Sequence, residues 1–333
     1  MSTTQLPLPS GFGITTTAGQ VLAGMDVTGK IAIVTGGYSG IGLETTRVLA
    51  QAGATVIVPA RTPEKAHQAL SRIPHSTKQN VELAHLDLLD PASIDAFATA
   101  FLGAGQPLHI LINNAGVMAS PLTRDARGYE SQFSANHLGH FQLTLRLWPA
   151  LIRANGARVV SLSSRGHQIS PVDLDDPNFM HRPYDRWQAY GQSKTANVLF
   201  AVEADRRGQS SGIRAFAVHP GAILTDLIRH MTDEELTTHG IARENSNGAI
   251  PSGKSVDEGG QFKNVQQGAA TSVWCATSPQ LTGMGGVYCQ DVDIAPILPP
   301  EAPGVIGVRP YAIDPISAEN LWSLSEQLTG VKI

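Results

Sequence analysis

Charge is scarce in this 333-residue chain: Lys, Arg, Asp and Glu make up 16% of it, against roughly 25% in a typical soluble domain. The 24 basic and 28 acidic side chains leave a net charge of −4. That balance offers no basic footprint for nucleic acid or for an anionic membrane surface. Only two cysteines occur, Cys275 and Cys289, neither in a CxxC or zinc-like cluster, which excludes a disulfide scaffold. No apolar run approaches the roughly 18 residues needed to cross a bilayer. Met1–Gly19 lacks the basic start and apolar stretch of a signal peptide. Hydrophobic residues at 42% are enough for a large core and exclude a disordered chain. A cytoplasmic protein acting on a small molecule is expected, without nucleic-acid or membrane partners.

What the chain does contain is alternation. Short apolar runs at Lys30–Thr35, Ala54–Pro59, Val81–Leu86, Leu108–Ile112, Arg158–Leu162 and Ile213–Val218 alternate with helical patterns, and Gly286–Cys289 reads as a seventh strand. This spacing implies βαβ units and a parallel sheet covered on both faces. The expected fold is a single α/β domain, a Rossmann-like doubly wound sheet of about seven strands, over residues 28–294. An irregular arm precedes it at 1–27. A polar, glycine-rich segment at 226–268 reads as a substrate lid. Residues 295–333 form a tail with six prolines between 295 and 315, ending in a short amphipathic helix near Ala318–Leu328.

The first strand runs into Thr35-Gly36-Gly37-Tyr38-Ser39-Gly40-Ile41-Gly42. Glycines between a strand and a helix let the backbone approach a pyrophosphate, while the helix presents unpaired N–H groups and a positive dipole end. This is read as a dinucleotide site, with Gly36, Tyr38, Ser39, Gly40 and Ile41 in contact. The second strand ends Val58-Pro59-Ala60-Arg61 without a carboxylate. An acidic residue there would bind a ribose 2′-hydroxyl, whereas an arginine suits a 2′-phosphate. NADP(H) is therefore favoured over NAD(H).

Tyr190 and Lys194 are four apart, on one face of a helix if one spans them. Asn113-Asn114-Ala115-Gly116, Ser163-Ser164 and Pro220-Gly221 each follow a strand, where open α/β sheets bind ligands. Carbonyl reduction needs a proton donor and a polariser of the oxygen besides a hydride source. A free tyrosine, with a pKa near 10, is a poor partner at neutral pH. A neighbouring ammonium and the positively charged oxidised nicotinamide both favour the phenolate and bring it toward the working range. Tyr190 is accordingly assigned as general acid/base, Lys194 as its tuner, and one of the pair Ser163 and Ser164 as the group that orients the substrate oxygen.

The Thr-Gly-x-x-x-Gly-x-Gly spacing, followed in order by these motifs, resembles the classical branch of the short-chain dehydrogenase/reductase family. The resemblance covers about residues 28–290. It favours Ser164 as the catalytic serine, with Ser163 as rival, and adds Asn136 as the catalytic asparagine holding a water between Lys194 and solvent. It places Asp87 and Leu88 at the adenine, Asn114, Ala115 and Gly116 on the adenosine side, and Pro220, Gly221, Ile223 and Thr225 at the carboxamide. It implies a homodimer or homotetramer built on the two long helices flanking the catalytic strand, a monomer being the alternative if the proline-rich tail covers one of these surfaces. Ser164 and Tyr190 are 26 apart, about twice the usual separation. With Asn136–Phe141 and Ser193–Asn197, this insertion (about 171–188) resembles the retinol dehydrogenase, WW-domain oxidoreductase and protochlorophyllide reductase subgroup. A fairly bulky apolar carbonyl or alcohol is the implied substrate. The alternatives are an NADP-sensing regulatory protein without turnover and a C=C reduction like that of protochlorophyllide reductase. His137 and His140 are read as packing rather than metal-binding residues, His219 as a backbone-positioning group, the Asp173/Asp175/Asp176 group as a loop, and Trp274 and both cysteines as core.

Overall fold

The computed structural model describes residues 3–238, 256, 262–299, 302, 304 and 306–333. The apolar runs form β1 (Ile31–Val34), β2 (Thr55–Ala60), β3 (Val81–His85), β4 (Ile110–Asn113), β5 (Arg158–Leu162), β6 (Arg214–His219), β7 (Val287–Gln290) and the two-residue β8 (Asp293–Ile294). The α-helices of the described residues are α1 (Ala18–Val21), α2 (Gly40–Gln51), α3 (Pro63–Leu70), α4 (His75–Lys78), α5 (Pro91–Gly103) and α6 (Ser131–Phe133). They continue with α7 (Gly139–Arg146), α8 (Trp148–Arg153), α9 (Arg186–Gly208), α10 (Asp233–Thr238), α11 (Val265–Thr277) and α12 (Pro315–Thr329).

The strands lie in one sheet in the order β3-β2-β1-β4-β5-β6-β7-β8. β1 to β7 run parallel and β8 turns back antiparallel to β7. The parallel central strands are nearly continuous apolar runs because helices cover both faces. α1, α2 and α11 close one side with Val48, Leu49 and Trp274. α5, α7 and α9 close the other with Phe97, Phe141 and Phe200. Between β1 and β4 the strand order reverses, which opens a crevice at the strands' carboxyl ends.

Eight strands replace the expected seven. The addition depends on a two-residue turn, Asp291-Val292, with φ of +52° and +64°. Two consecutive positive φ values suit a type I′ hairpin, normally built from Asn, Asp or Gly. A buried β-branched valine is a poor residue for that backbone, so this corner carries no turn signal in the sequence.

Both ends of the chain are fastened to the body. Gln5 is buried in the N-terminal arm and pairs with β7: its amide nitrogen donates to Tyr288 O at 2.8 Å and its oxygen accepts the Tyr288 N–H at 2.9 Å. At the other end, α12 starts on Asp314, whose carboxylate accepts the Ser317 N–H at 2.8 Å. It extends further than the expected 318–328 and lies against α7 and α9. Trp322, 1% exposed, stacks on Phe200 with centroids 5.9 Å apart, and meets Phe141 edge-on at 4.9 Å. His137 Nε2 lies 2.7 Å from Ser325 Oγ. Truncating so large a buried ring leaves a cavity that its neighbours fill only in part. Trp322→Ala is expected to cost about 3–5 kcal/mol of stability, measured as a lower urea midpoint with an unchanged slope.

Candidate active site

The crevice is a cleft of about 1070 Å³ at the carboxyl ends of the strands. Its floor begins with the glycine turn. Gly36 and Gly40 have φ of +64° and +49°, a region that side chains disfavour. A Cβ on Gly42 would fall 2.3 Å from Gly36 O, so a glycine is required where α2 crosses the turn. One on Gly36 would come within 3.1 Å of Asn114 Nδ2. α2 then starts at Gly40 behind Ser39, whose side chain makes no cap hydrogen bond. The first N–H groups of the helix are thus left for a ligand, and the turn fits a pyrophosphate. Arg61, exposed just past β2, lines the same cleft with Asp87 and Leu88.

Thr35 joins this turn to the next strand. Its hydroxyl accepts the N–H groups of Asn114 (2.9 Å) and Ala115 (3.0 Å) and lies 2.8 Å from His140 Nε2. His140 Nδ1 is 3.0 Å from the Asn136 carbonyl, which can only accept. The proton therefore sits on Nδ1, and Nε2 accepts from Thr35. Asn136 occupies a π-helical turn, Ser134–Leu138. Its Oδ1 accepts the Val117 N–H at 2.8 Å, and its Nδ2 donates to Val117 O and to Ser193 Oγ, both at 2.9 Å. Ser193 in turn donates to the Tyr190 carbonyl at 2.8 Å. Thr35, His140 and Ser193 were missed as site residues. Only the Thr-Gly start of the turn and the His one helical turn after Asn136 hinted at them.

Tyr190 and Lys194 lie on α9, capped by Asp185, whose carboxylate accepts from Trp187 and Gln188 N–H. Tyr190 is 4% exposed and Lys194 5%. Lys194 Nζ sits 5.7 Å from the Tyr190 ring centroid and donates to Leu162 O at 3.0 Å. Burial pushes the Tyr190 phenol up to about 12, the hydrogen bond with the Ser164 hydroxyl pulling the other way, and brings Lys194 down to about 8. Among the chain's own groups desolvation thus keeps Tyr190 protonated at neutral pH; the pull toward phenolate is expected from Lys194 and a positively charged oxidised nicotinamide acting together. The two serines separate by geometry. Ser163 is buried and donates to Lys194 O at 2.8 Å. Ser164, half-buried, caps the short helix Arg165–Gln168, accepts the Gly166 N–H at 3.0 Å and meets Tyr190. A Cβ on Gly166 would lie 2.7 Å from the Tyr190 ring, so the missing side chain lets the serine segment close on the phenol.

Pro220, Gly221, Ile223 and Thr225 line the opposite wall beside the glycine turn. His219 is buried, and its Nδ1 accepts the N–H groups of Arg165 (3.2 Å) and Gly221 (3.4 Å). The substrate end is apolar: Met231 and Phe262 cluster with Met118, Trp187 and Ile228. Of the 171–188 insertion, expected to shape this pocket, Trp187 alone lines the cleft. The rest braces the neighbouring loop, Arg124 donating to Asn178 O and Phe179 O, and Asp173 and Asp176 accept backbone N–H groups within the insertion. Of the 226–268 segment, 239–255 and 257–261 lie outside the described residues.

Four histidines around this site are buried and neutral. Desolvation holds His137 and His219 down to about 3, and His140 and His167 to about 4. Because their folded values fall below the ordinary 6.5, the unfolded chain takes up protons that the folded chain refuses. Their contribution to stability is complete above about pH 6.5 and is lost as the pH falls toward 4, by at most about 1.4 kcal/mol per histidine per pH unit. Urea midpoints measured from pH 8 to 4 should be level down to about 6.5 and then drop steeply.

A family model described as short chain dehydrogenase matches residues 30–236. A protein of Streptomyces lividans named "Probable oxidoreductase" is 44% identical over 90% of the chain and 97% of its own length. Retinol dehydrogenase 12 of Mus musculus is 37% identical over 92% of the chain and 89% of its own length. Among solved structures, a protein from Mycobacterium paratuberculosis superposes with a TM-score of 0.69 at 32% identity, covering 92% of this chain and 96% of that one.

Proposed function

The chain belongs to the short chain dehydrogenase family of oxidoreductases, and from that premise we propose that it interconverts a carbonyl and an alcohol on a bulky apolar substrate, using NADP(H). The observation that carries this reading is the meeting of Ser164 and Tyr190 beside Lys194 in one cleft with the glycine turn. When bound, the cofactor supplies or accepts a hydride. Gly36, Tyr38, Ser39, Gly40 and Ile41 would hold its pyrophosphate side, Asp87, Leu88, Asn114, Ala115 and Gly116 the adenosine, and Pro220, Gly221, Ile223 and Thr225 the carboxamide. Arg61, exposed at the mouth of the cleft, would meet a 2′-phosphate with its planar fork.

In the reduction direction the protein's task is to bind the carbonyl oxygen and protonate it. Ser164 orients that oxygen by a hydrogen bond, and Tyr190, held as a phenol, gives up its proton as negative charge develops there. The Lys194 ammonium then stabilises the phenolate that remains. Asn136 holds the π-helical turn and Ser193 in place around α9, and the lone pair left on its Oδ1 is what would fix a water for proton return. The apolar wall of Met118, Trp187, Ile228, Met231 and Phe262 suits a large hydrophobic substrate. Residues 226–238 and 262–268 supply part of this wall, consistent with a lid.

NADPH oxidation at 340 nm across bulky aromatic, terpenoid, steroid and retinoid carbonyls tests the reading. Tyr190→Phe is expected to lower turnover by about 10²–10⁴-fold while NADPH affinity stays within about twofold in binding titrations. Arg61→Ala should weaken NADPH at least about tenfold, the loss of one charge-assisted contact, and leave NADH nearly unchanged. Turnover retained by Tyr190→Phe would overturn the mechanism, and equal losses for both cofactors would remove Arg61 from the phosphate.

The resemblance implies a homodimer or homotetramer through the outer faces of the long helices. Here α12 occupies that side, with Trp322 between Phe141 on α7 and Phe200 on α9. We therefore read the chain as a monomer. Light scattering should return the 35.3 kDa of one chain, and a mass of two or four chains would reverse this assignment.

A further inference from the structure

Apart from Tyr190 and Lys194, the cleft holds an ion pair between a buried lysine and a part-buried aspartate. Lys263, its side chain 2% exposed, contacts Asp291 Oδ1 through Nζ at 2.6 Å. The pair joins two features that are otherwise costly to maintain. Asp291 belongs to the left-handed turn Asp291-Val292 between β7 and β8, where a buried valine is under backbone strain. That turn is kept in place by the Val292 N–H, which donates to Thr271 Oγ1 at 3.1 Å. On the other side, the Lys263 stem packs beneath Gly221, itself at φ +105°: a Cβ there would lie 2.6 Å from Lys263 Cδ. The Lys263 backbone also holds this loop, its N–H donating to Ala222 O at 2.8 Å and its residue bridging to Ile223.

We infer that Lys263 and Asp291 are positioning residues that fasten the Pro220–Thr225 loop to the β7–β8 turn, and so set the nicotinamide end of the cofactor site. The inference rests on the reading of that loop as the carboxamide holder. Physically, a loop whose backbone N–H and C=O groups must face a ligand cannot also pair them with a neighbouring strand. It has to be held from behind. The lysine does this by stem packing, by one backbone bridge and by an ammonium tied to a carboxylate that a strained turn presents. A pair of this kind adds little net stability, so its effect should be local.

The test separates the two ends of the cofactor. Whole NADPH and 2′,5′-ADP, which carries the adenylate and the phosphate but no nicotinamide, are titrated by calorimetry against wild type, Asp291→Asn and the double variant Lys263→Met/Asp291→Asn. Asparagine tolerates the left-handed turn, and the double variant leaves neither charge unpaired, so both should fold. The expected result is NADPH affinity about tenfold weaker in both, the value of one or two loop hydrogen bonds, with 2′,5′-ADP affinity unchanged. Unchanged NADPH affinity, or equal losses for both ligands, would overturn the inference. Failure of wild type to bind either ligand would instead overturn the NADP reading itself.

Discussion

The hydroxyl of Thr35 sits at the end of β1, where the strand order reverses, and nearly every part of the site is referred to it. It accepts two N–H groups from the segment after β4 and donates to His140. It thereby fixes the separation of the two strand ends between which the cleft opens. The Asn136 carbonyl in the π-helical turn sets the His140 tautomer by accepting from Nδ1, which leaves Nε2 to accept from Thr35. From Asn136 the chain of hydrogen bonds passes through Ser193 to the backbone of Tyr190. A single hydroxyl thus ties the glycine turn to the helix that carries the tyrosine. Each link is buried, so each unpaired member would carry a desolvation cost of about 1–3 kcal/mol.

Burial is also what gives the tyrosine and lysine their character. In water a lysine four residues away on a helix would shift a phenol only slightly. Inside the protein, desolvation acts on both groups in the direction of their neutral forms, lifting the phenol to about 12 and lowering the ammonium to about 8. The pair is therefore balanced by its surroundings rather than by their attraction alone. A positive charge arriving at the nicotinamide end would favour the phenolate, which makes the placement of the Pro220–Thr225 loop matter to proton transfer as well as to binding.

Much of this was legible in the chain because it depends on local rules. The strand runs, the glycine turn, and the motifs after β4, β5 and β6 are set by periodicity and by backbone conformations that few residues tolerate. What escaped was set by long-range packing. Nothing around Trp322 announces that its ring stacks on Phe200, 122 positions earlier. Val292 contradicts its own turn and is held there by Thr271 and by burial. Lys263 and Asp291 are 28 positions apart, in segments whose patterns mention neither a site nor a partner. The choice between Ser163 and Ser164 needed the direction of two side chains, which differ by one residue and point to opposite tasks.

The two ends of the cleft are built on different physics. The cofactor end relies on glycines, backbone N–H groups and a few fixed hydroxyls, so small displacements change its contacts directly. The apolar end relies on Trp187 of α9, Leu236 of α10, Ala222, Leu224, Ile228 and Met231 before it, and Met118 and Phe262, packed on one another. α10 is tied to α9 through Glu235, which accepts from Arg186 at 2.5 Å and from Trp187 Nε1 at 2.8 Å. Arg186 and Glu235 remain 29% and 22% exposed, where an ion pair is worth about 1 kcal/mol or less. The indole contact and the burial of Met231, Leu236 and Phe262 therefore carry most of what holds this wall closed. Trp187 is shared between that wall and the ring of Tyr190, 6.3 Å away.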